Sequence, residues 1–203
     1  MTHAPSPALT PRRGRPGYDR ETLLRVCVEV FNLHGYDATS MGTLSERLGI
    51  SKSAIYHHVE SKEAILDQAL NRALDALEDV ISDEGGTAVS ELDRLEHVMR
   101  RTVAVLIDHM PYVTLLLRLR GNSEVELRAL ERRRTITGQV AALIERAQQE
   151  GSIRTDLSSR SAARLLLGMI NSVVDLYKPG TGESTDDLAD TILTLALSGL
   201  RTQ

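Results

Sequence analysis

A short segment between positions 39 and 62 carries the side chains best suited to bind a nucleic acid. On its second predicted helix the exposed positions are Lys52, Ser53, Tyr56 and His57. Each of these side chains can donate a hydrogen bond and none is acidic, whereas DNA phosphates and base edges in the major groove offer acceptors. The pattern is therefore typical of a helix that docks against DNA.

Two short helices joined by a glycine turn must position this face. Thr39 and Ser40 are candidate caps for a first helix that ends near Leu48, Gly49 supplies the turn, and Ser51 caps the second helix. The apolar residues that would be buried are Met41, Leu44, Leu48, Ile50, Ile55 and Val59. This pattern predicts a helix-turn-helix. The alternative, an ordinary surface pair of helices, is disfavoured because the exposed face lacks the Glu and Asp of a merely solvated one.

The residues in and around this segment resemble the DNA-binding domain of TetR-family transcriptional regulators. The similarity covers about residues 19–67 and rests on three stretches: Gly35–Ser40 (GYDATS), Ile50–His58 (ISKSAIYHH) and Ser61–Leu66 (SKEAIL). Val59 departs from the family pattern, in which Phe is more usual, but it remains apolar. The resemblance implies an N-terminal three-helix DNA-binding domain at 19–67 and a larger helical domain for effector binding and dimerisation at 68–203.

The resemblance also implies roles for individual side chains. The residues implied in DNA binding are Thr39, Ser40, Ser51, Lys52, Ser53, Tyr56, His57 and Lys62. Among them, Thr39 and Ser40 are expected at phosphates, Lys52 and Ser53 at base edges, and Tyr56 and Lys62 at the DNA backbone, while His57 could do either. His57 and His58 point about 100° apart on a helix and so do not form a metal site. No metal and no cofactor is expected.

Residues 1–18 contain Arg12, Arg13 and Arg15, many Pro and Ala residues, no acid and no hydrophobic period, which predicts a disordered basic arm. The Arg-Arg-Gly-Arg-Pro order resembles an extended segment that inserts Arg into a narrow minor groove. The alternative is a solvated tail, which would still add salt-dependent affinity for DNA.

Composition supports an all-α chain. Of 203 residues, 41% are apolar and only 3% are aromatic, and the periodicity predicts about nine helices and no strand. Predicted helices include about Val89–Met110, Tyr112–Leu119 and Ser159–Tyr177. The single cysteine excludes a disulfide framework, and the chain has neither a membrane-length apolar run nor an apolar N-terminal signal. A cytoplasmic protein without a membrane partner is expected, and its net charge of −4 says little because charge is segregated along the chain.

The last two predicted helices are apolar around more than one face, which indicates a partner helix from a second copy of the chain. The expected dimer-interface residues are Leu166, Ile170, Val174, Leu193 and Leu197. A homodimer would also supply the two helix-turn-helix units that a palindromic operator requires.

An effector site is expected in the same domain. The aliphatic stretch 112–120 precedes Arg128, Arg132, Arg133 and Arg134, a combination that suits an acyl chain with a phosphate-bearing head group. The alternative is a solvated helix face whose arginines pair with Glu124, Glu126 and Glu131. Low aromatic content disfavours a sensor of bulky aromatic cations. The candidate ligand residues are His109, Tyr112, Leu116, Arg120 and Asn171, although His109 also suits a helix end.

The C-terminal half resembles the TetR branch that senses acyl-CoA thioesters, except that Leu167 and Asn171 stand where some relatives grip the thioester. The resemblance implies a dimeric repressor that releases its operator DNA when it binds a small hydrophobic effector, for which an acyl-CoA is one candidate. A constitutive DNA-binding regulator without effector is the alternative. An enzyme is disfavoured because the chain lacks a nucleophile elbow, a phosphate loop and a metalloprotease motif, and its carboxylates are expected on exposed helix faces.

Overall fold

The computed structural model describes residues 19–83, 90–178, 180 and 184–200, and in these residues the chain is helical with no strand. The helices are α1 (Arg20–His34), α2 (Met41–Leu48), α3 (Lys52–Tyr56), α4 (Lys62–Ser82), α5 (Glu91–Asp108), α6 (Met110–Leu117), α7 (Glu124–Gln149), α8 (Ser159–Asn171), α9 (Val173–Leu176) and α10 (Thr185–Ser198). The all-α prediction is confirmed. The predicted basic arm, with Arg12, Arg13 and Arg15, lies outside the described residues.

Serine side chains begin most of these helices. The hydroxyls of Ser40, Ser51, Ser61, Ser90, Ser123 and Ser184 each accept a hydrogen bond from the backbone N–H three residues further on. Such a bond satisfies one of the four N–H groups that have no partner inside a helix. The predicted caps at Ser40, Ser51 and Ser184 are confirmed.

The junction between α5 and α6 differs from the prediction. A helix to Met110 and another over Tyr112–Leu119 were expected, whereas α5 ends at Asp108 and α6 covers Met110–Leu117. Pro111 lies in the first turn of α6. Proline is tolerated there because its missing N–H would have no helical partner, but it would clash within the body of α5. The proline therefore starts a helix two residues earlier than the periodicity indicated.

The predicted helix over Ser159–Tyr177 is divided in two at Ser172. The Ser172 hydroxyl donates to the carbonyl of Met169 at 2.6 Å. A serine hydroxyl that competes for a carbonyl of the preceding turn bends or ends a helix. The short α9 that follows contacts α5 and α6, whereas α8 packs mainly on α7.

One long helix, α4, belongs to both parts of the molecule. Towards its N-terminus α4 packs on α1, and along its length it packs on α5, α6 and α7. Buried apolar side chains continue without a break from Phe31 and Ile55 through Leu66 and Leu74 to Leu106. The boundary expected at residues 67 and 68 therefore falls inside a continuous helix, which gives the two domains a rigid connection.

Candidate DNA-binding face and effector cavity

The helix-turn-helix is closed by a left-handed glycine. Gly49 has φ 65° and ψ 30°, a conformation that costs other residues energy because of their Cβ. The Ile50 N–H then donates to the carbonyl of Ser45 at 3.2 Å, which ends α2. Leu44, Leu48 and Ile55 are buried beneath the turn. This geometry fixes the direction in which α3 presents its outer face.

The outer face of α3 is exposed and contains no acid. Lys52, Ser53, Tyr56 and His57 are all exposed, and Tyr56 keeps 51% of its accessible surface. At this position the ring of Tyr56 can pack against the sugars of a DNA backbone, and its hydroxyl can donate to a phosphate. The Lys52 side chain lies across Gly42, since a methyl group on residue 42 would stand 3.3 Å from Lys52 Cε. The lysine therefore reaches the N-terminal end of α2 as well as α3.

The three serines among the predicted DNA contacts also form hydrogen bonds within the chain. Ser51 caps α3 and lies 2.9 Å from the Ser53 hydroxyl, with which it shares a hydrogen bond. Ser40 similarly caps α2 and lies 3.0 Å from the Thr43 hydroxyl. These caps leave hydroxyl lone pairs and protons at helix N-termini, where phosphate is favoured.

Two of the predicted DNA contacts have internal roles that sequence reasoning missed. Thr39 is only 2% exposed, and its hydroxyl donates to the carbonyl of Gly35 at 2.7 Å, so its side chain holds the turn after α1 rather than facing solvent. The Lys62 ammonium donates to the carbonyls of Tyr36 and Thr39, both at 2.9 Å. It also stands 4.2 Å from the centre of the Tyr36 ring. Lys62 thus joins α4 to the turn and has one N–H left for a phosphate.

Tyr36 organises this junction and was not among the predicted site residues. Its ring meets Phe31 edge-on at 5.1 Å between centroids. Burial is the main cause that raises the pKa of its hydroxyl, and the carboxylate of Glu63 adds to the effect.

Burial likewise raises the pKa of the Cys27 thiol to about 12, so that thiol is un-ionised and inert at neutral pH.

Comparisons with known proteins agree with this architecture. A family model described as "Bacterial regulatory proteins, tetR family" matches residues 23–69, and one described as "Tetracyclin repressor-like, C-terminal domain" matches residues 88–200. The chain belongs to the TetR family. It is therefore a DNA-binding transcriptional regulator, and the expectation from the sequence is confirmed.

The similarity to individual relatives covers most of the chain. A solved TetR-family regulator from Streptomyces coelicolor is 49% identical, covers 89% of this chain and 92% of its own, and superposes with a TM-score of 0.83. The transcriptional repressor KstR2 of Rhodococcus jostii is 26% identical over 98% of both chains. The structure of AibR in complex with isovaleryl coenzyme A and operator DNA has a TM-score of 0.71 and 20% identity, over 87% of this chain and 96% of that one. At 20% identity, the similarity to AibR shows only that the two chains have the same fold.

A small cavity lies in the C-terminal domain between five helices. It is lined by Leu77 of α4, Leu106 of α5, Leu116 of α6, Arg133 of α7 and Asn171 of α8, together with seven further residues, and its volume is about 60 Å³. Most of the lining is aliphatic, as expected for a site that holds a hydrocarbon group.

The structure brings together two of the five candidate ligand residues. Leu116 and Asn171 line the cavity, whereas His109, Tyr112 and Arg120 do not. His109 stands at the junction of α5 and α6, which is the helix-end alternative. Arg120 borders a separate groove beside Phe31 and Tyr36.

Tyr112 is buried against the DNA-binding domain instead of facing the cavity. The Arg72 guanidinium lies 5.0 Å from the centre of its ring, and Arg72 also pairs with Glu21 of α1. Burial is the main cause that raises the pKa of the Tyr112 hydroxyl. Tyr112 therefore serves the contact between α4, α6 and α1.

The predicted arginine cluster does not converge on one site. Arg132 pairs with Asp75 at 2.6 Å and Glu78 at 2.7 Å, Arg128 with Asp67 at 3.4 Å, and Arg134 with Glu131 at 2.9 Å. Arg133 alone lines the cavity. The alternative pairing with Glu124, Glu126 and Glu131 is correct only for the Arg134–Glu131 pair.

Glu126 corrects the expectation that the carboxylates lie on exposed helix faces. It is 4% exposed, and one of its oxygens accepts from the backbone N–H groups of Arg120, Gly121 and Asn122 at 2.8–3.2 Å. Three charge-assisted bonds compensate the loss of water. The Gly121 backbone has φ 85°, which lets the three N–H groups turn towards one oxygen.

The predicted dimer-interface residues face the interior of one protomer. Leu166, Ile170, Leu193 and Leu197 are 1–5% exposed, and Val174 is half-buried. The apolar residues on the outer faces of the same helices are different ones. Leu165, Met169, Leu176 and Leu195 are 38–73% exposed. Both faces of these helices are apolar, and periodicity alone does not say which face is covered by the protomer's own core.

The described residues contain neither a cluster of metal-ligating side chains nor a helix suited to a membrane. Among them, no group of three or more His, Cys, Asp and Glu side chains is arranged to hold a metal ion. None of the helices in those ranges combines the length and the apolar composition that crossing a bilayer requires.

Proposed function

We propose that this regulator is a homodimeric repressor that binds a palindromic operator through two α3 helices and releases it when a small hydrophobic effector enters the cavity. The observation that carries the proposal is α4, whose two ends serve the two sites. Lys62 at its start is bonded to the turn of the DNA-binding domain, and Leu77 and Ile81 near its end line the cavity. A helix of 21 residues spans about 30 Å and transmits a displacement as a lever.

A second connection runs through α6. The Asn32 side-chain amide of α1 donates to the carbonyl of Pro111 at 2.7 Å, and Arg118 donates to the carbonyl of Asn32 at 2.7 Å. Leu116, on the same helix, lines the cavity. Movement of α6 away from the cavity would therefore displace α1, on which the helix-turn-helix packs.

The small cavity supports coupling between binding and movement. Ligand sites usually measure about 300 Å³ or more, whereas this one holds about 60 Å³. An acyl group can enter only if the surrounding helices separate. An effector that binds only when the helices are separated increases the population of that conformation, to the extent that its affinities for the separated and the closed conformations differ. Acyl-CoA thioesters are reasonable candidates because AibR, which has the same fold, forms a complex with isovaleryl coenzyme A and operator DNA.

The outer faces of α8 and α10 support a dimer. Leu165 and Leu195 keep 73% and 68% of their surface in the isolated protomer, and Leu176 keeps 69%. Burying such aliphatic side chains against a partner would lower the free energy by about 25 cal/mol for each Å² of apolar area removed from water. Packing these faces against a second copy would form an intersubunit helical bundle.

The same small volume favours a second candidate function, a constitutive regulator whose core is simply well packed. That regulator would bind DNA as a dimer but would not respond to any ligand.

Operator selection tests the proposal. The purified protein is incubated with random-sequence duplexes, bound DNA is sequenced, and the mass of the complex is measured by native mass spectrometry. The proposal predicts an inverted repeat whose half-sites are about one or more helical turns apart, bound by an even number of chains. Enrichment of a single non-repeated half-site by a monomer would contradict it.

A further inference from the structure

The cavity contains a cation that has no ion-pair partner among the residues that the structure describes. Arg133 is the one charged side chain among the described residues that line it, and no acid lines it. Within those residues its one hydrogen bond donates to the carbonyl of Leu116 at 3.3 Å. A guanidinium has five N–H groups, so most of its donor capacity has no protein acceptor there. This is an unusual state for a half-buried arginine.

Its sequence neighbours show the ordinary condition. Arg132 forms two ion pairs and a hydrogen bond with α4, and Arg134 pairs with Glu131 on the solvent side. For Arg133, burial lowers the pKa of the guanidinium, and in the described part of the chain no carboxylate opposes the effect. A cation that loses water without gaining an anion destabilises the chain that carries it.

The polar residues that line the cavity beside Arg133 are uncharged, so none of them provides an anion for its guanidinium. The Thr102 hydroxyl donates to the carbonyl of Val98, and the Thr137 hydroxyl donates to the carbonyl of Arg133 itself. Apart from the uncharged amide of Asn171, the rest of the lining is aliphatic, including Leu106 and Ile136. The site thus offers one strong cationic donor set at the edge of a hydrocarbon surface.

We propose that the effector carries an anionic oxygen group that pairs with Arg133, attached to an aliphatic body that packs on Leu106, Leu116 and Ile136. The inference rests on the proposed function and narrows its effector to hydrocarbon anions, excluding neutral and cationic compounds. A carboxylate fits the guanidinium fork with two parallel hydrogen bonds. A free fatty acid and the phosphates of an acyl-CoA are two sources of such a group.

The three adjacent arginines provide a test that needs no ligand. Each is replaced by Met in turn, and the melting temperature of the effector-free protein is measured. Arg133→Met is expected to melt at the same temperature as the wild type or a few degrees higher, because it removes an uncompensated charge while keeping apolar volume. Arg132→Met is expected to melt lower and Arg134→Met to be unchanged. A loss for Arg133→Met as large as that for Arg132→Met would mean a structural role and overturn the proposal.

Calorimetric titration tests the ligand chemistry with matched eight-carbon probes: octanoate, octanoyl-CoA, octanol and octylamine. The wild type is expected to bind at least one of the two anions, and Arg133→Met to weaken that binding by about tenfold or more. A change confined to octanoate identifies a free carboxylate as the source of the anionic group, and a change confined to octanoyl-CoA identifies the phosphates of the CoA. Binding of octanol as tight as that of either anion, or binding of neither anion, would contradict the proposal.

Operator binding and calorimetry test separate sites of the molecule. Operator binding is measured with the effector-free wild type and with Arg134→Met, whose side chain pairs with Glu131 on the solvent side of α7, and the two are expected to bind equally. A wild type that binds no operator disproves the proposed function, whereas calorimetry still reports whether Arg133 holds an anion.

Discussion

The helix-turn-helix and the three consecutive arginines of α7, residues 132–134, differ in what positions their polar side chains. In the first, each residue has a role fixed within a few positions: Ser51 caps α3, Gly49 turns the chain, and Lys52 and Tyr56 remain exposed. In the second, three consecutive arginines have three environments: an ion-pair network for Arg132, a cavity for Arg133 and solvent for Arg134. Local sequence therefore determines the predicted DNA-binding face, and distant helices determine the proposed effector site.

The largest expected effect is on the DNA-binding face. The double variant Lys52→Ala, Tyr56→Ala is expected to lower operator affinity by about 100-fold or more, since each lost contact is worth about 1–3 kcal/mol. Fluorescence anisotropy with the selected operator measures it. Arg134→Ala, which removes one exposed cation from α7, is the matched control and should leave the affinity unchanged. Equal losses in both variants would mean that affinity depends on overall charge rather than on the α3 face.

The next effect concerns the exposed faces of α8 and α10. Leu195→Glu places a charge on the proposed interface and is expected to convert the dimer to a monomer in analytical ultracentrifugation, because a buried charge without a partner is costly. Leu33→Glu is the control, since Leu33 is 75% exposed on α1 and Leu195 is 68% exposed on α10. A dimer that survives Leu195→Glu would place the interface elsewhere.

A smaller effect tests the loop between α6 and α7. Glu126→Gln is expected to lower the free energy of unfolding by about 1.5–3 kcal/mol, because the amide loses charge-assisted bonds to three backbone N–H groups. Urea denaturation measures the change. Glu124→Gln, at an exposed position in the same turn, should change stability by less than about 0.5 kcal/mol. Equal stability of the two variants would show that the buried carboxylate does not hold the loop.

The smallest effect concerns Thr39. Thr39→Val keeps the buried shape but removes the bond to Gly35, and a loss of about 1 kcal/mol is expected in the same urea assay. Thr135→Val removes a similar bond at an exposed position of α7 and should cost less. If operator affinity falls in Thr39→Val without a change in stability, the hydroxyl contacts DNA as the family resemblance implied.

The sequence was sufficient for the elements whose causes are local. Serine caps, the Gly49 turn and the apolar periods of α1 to α4 predicted the DNA-binding domain, and the predicted exposure of Lys52 and Tyr56 is correct. Lys62 was assigned a DNA contact, but its principal partners lie 23 and 26 residues earlier in the chain. No periodicity encodes such a pairing.

The C-terminal domain was harder to predict because its helices are apolar on more than one side. Leu166 and Leu165 are equally hydrophobic and adjacent, yet the first is buried and the second is exposed. Glu126 was expected in solvent because nothing in its neighbourhood indicates that three backbone N–H groups converge on it. Tertiary packing decides each of these, and a single sequence carries that information only weakly.

The most direct test of the account is native mass spectrometry of the protein–operator complex during titration with acyl-CoA thioesters and the corresponding carboxylates. The account predicts a dimer on each operator site, uptake of one effector per chain and simultaneous loss of DNA, with a gel shift confirming the release. A complex that remains intact while its chains take up the effector would contradict the coupling through α4. A dimer that takes up no compound of either series and stays bound to DNA would instead establish a constitutive regulator.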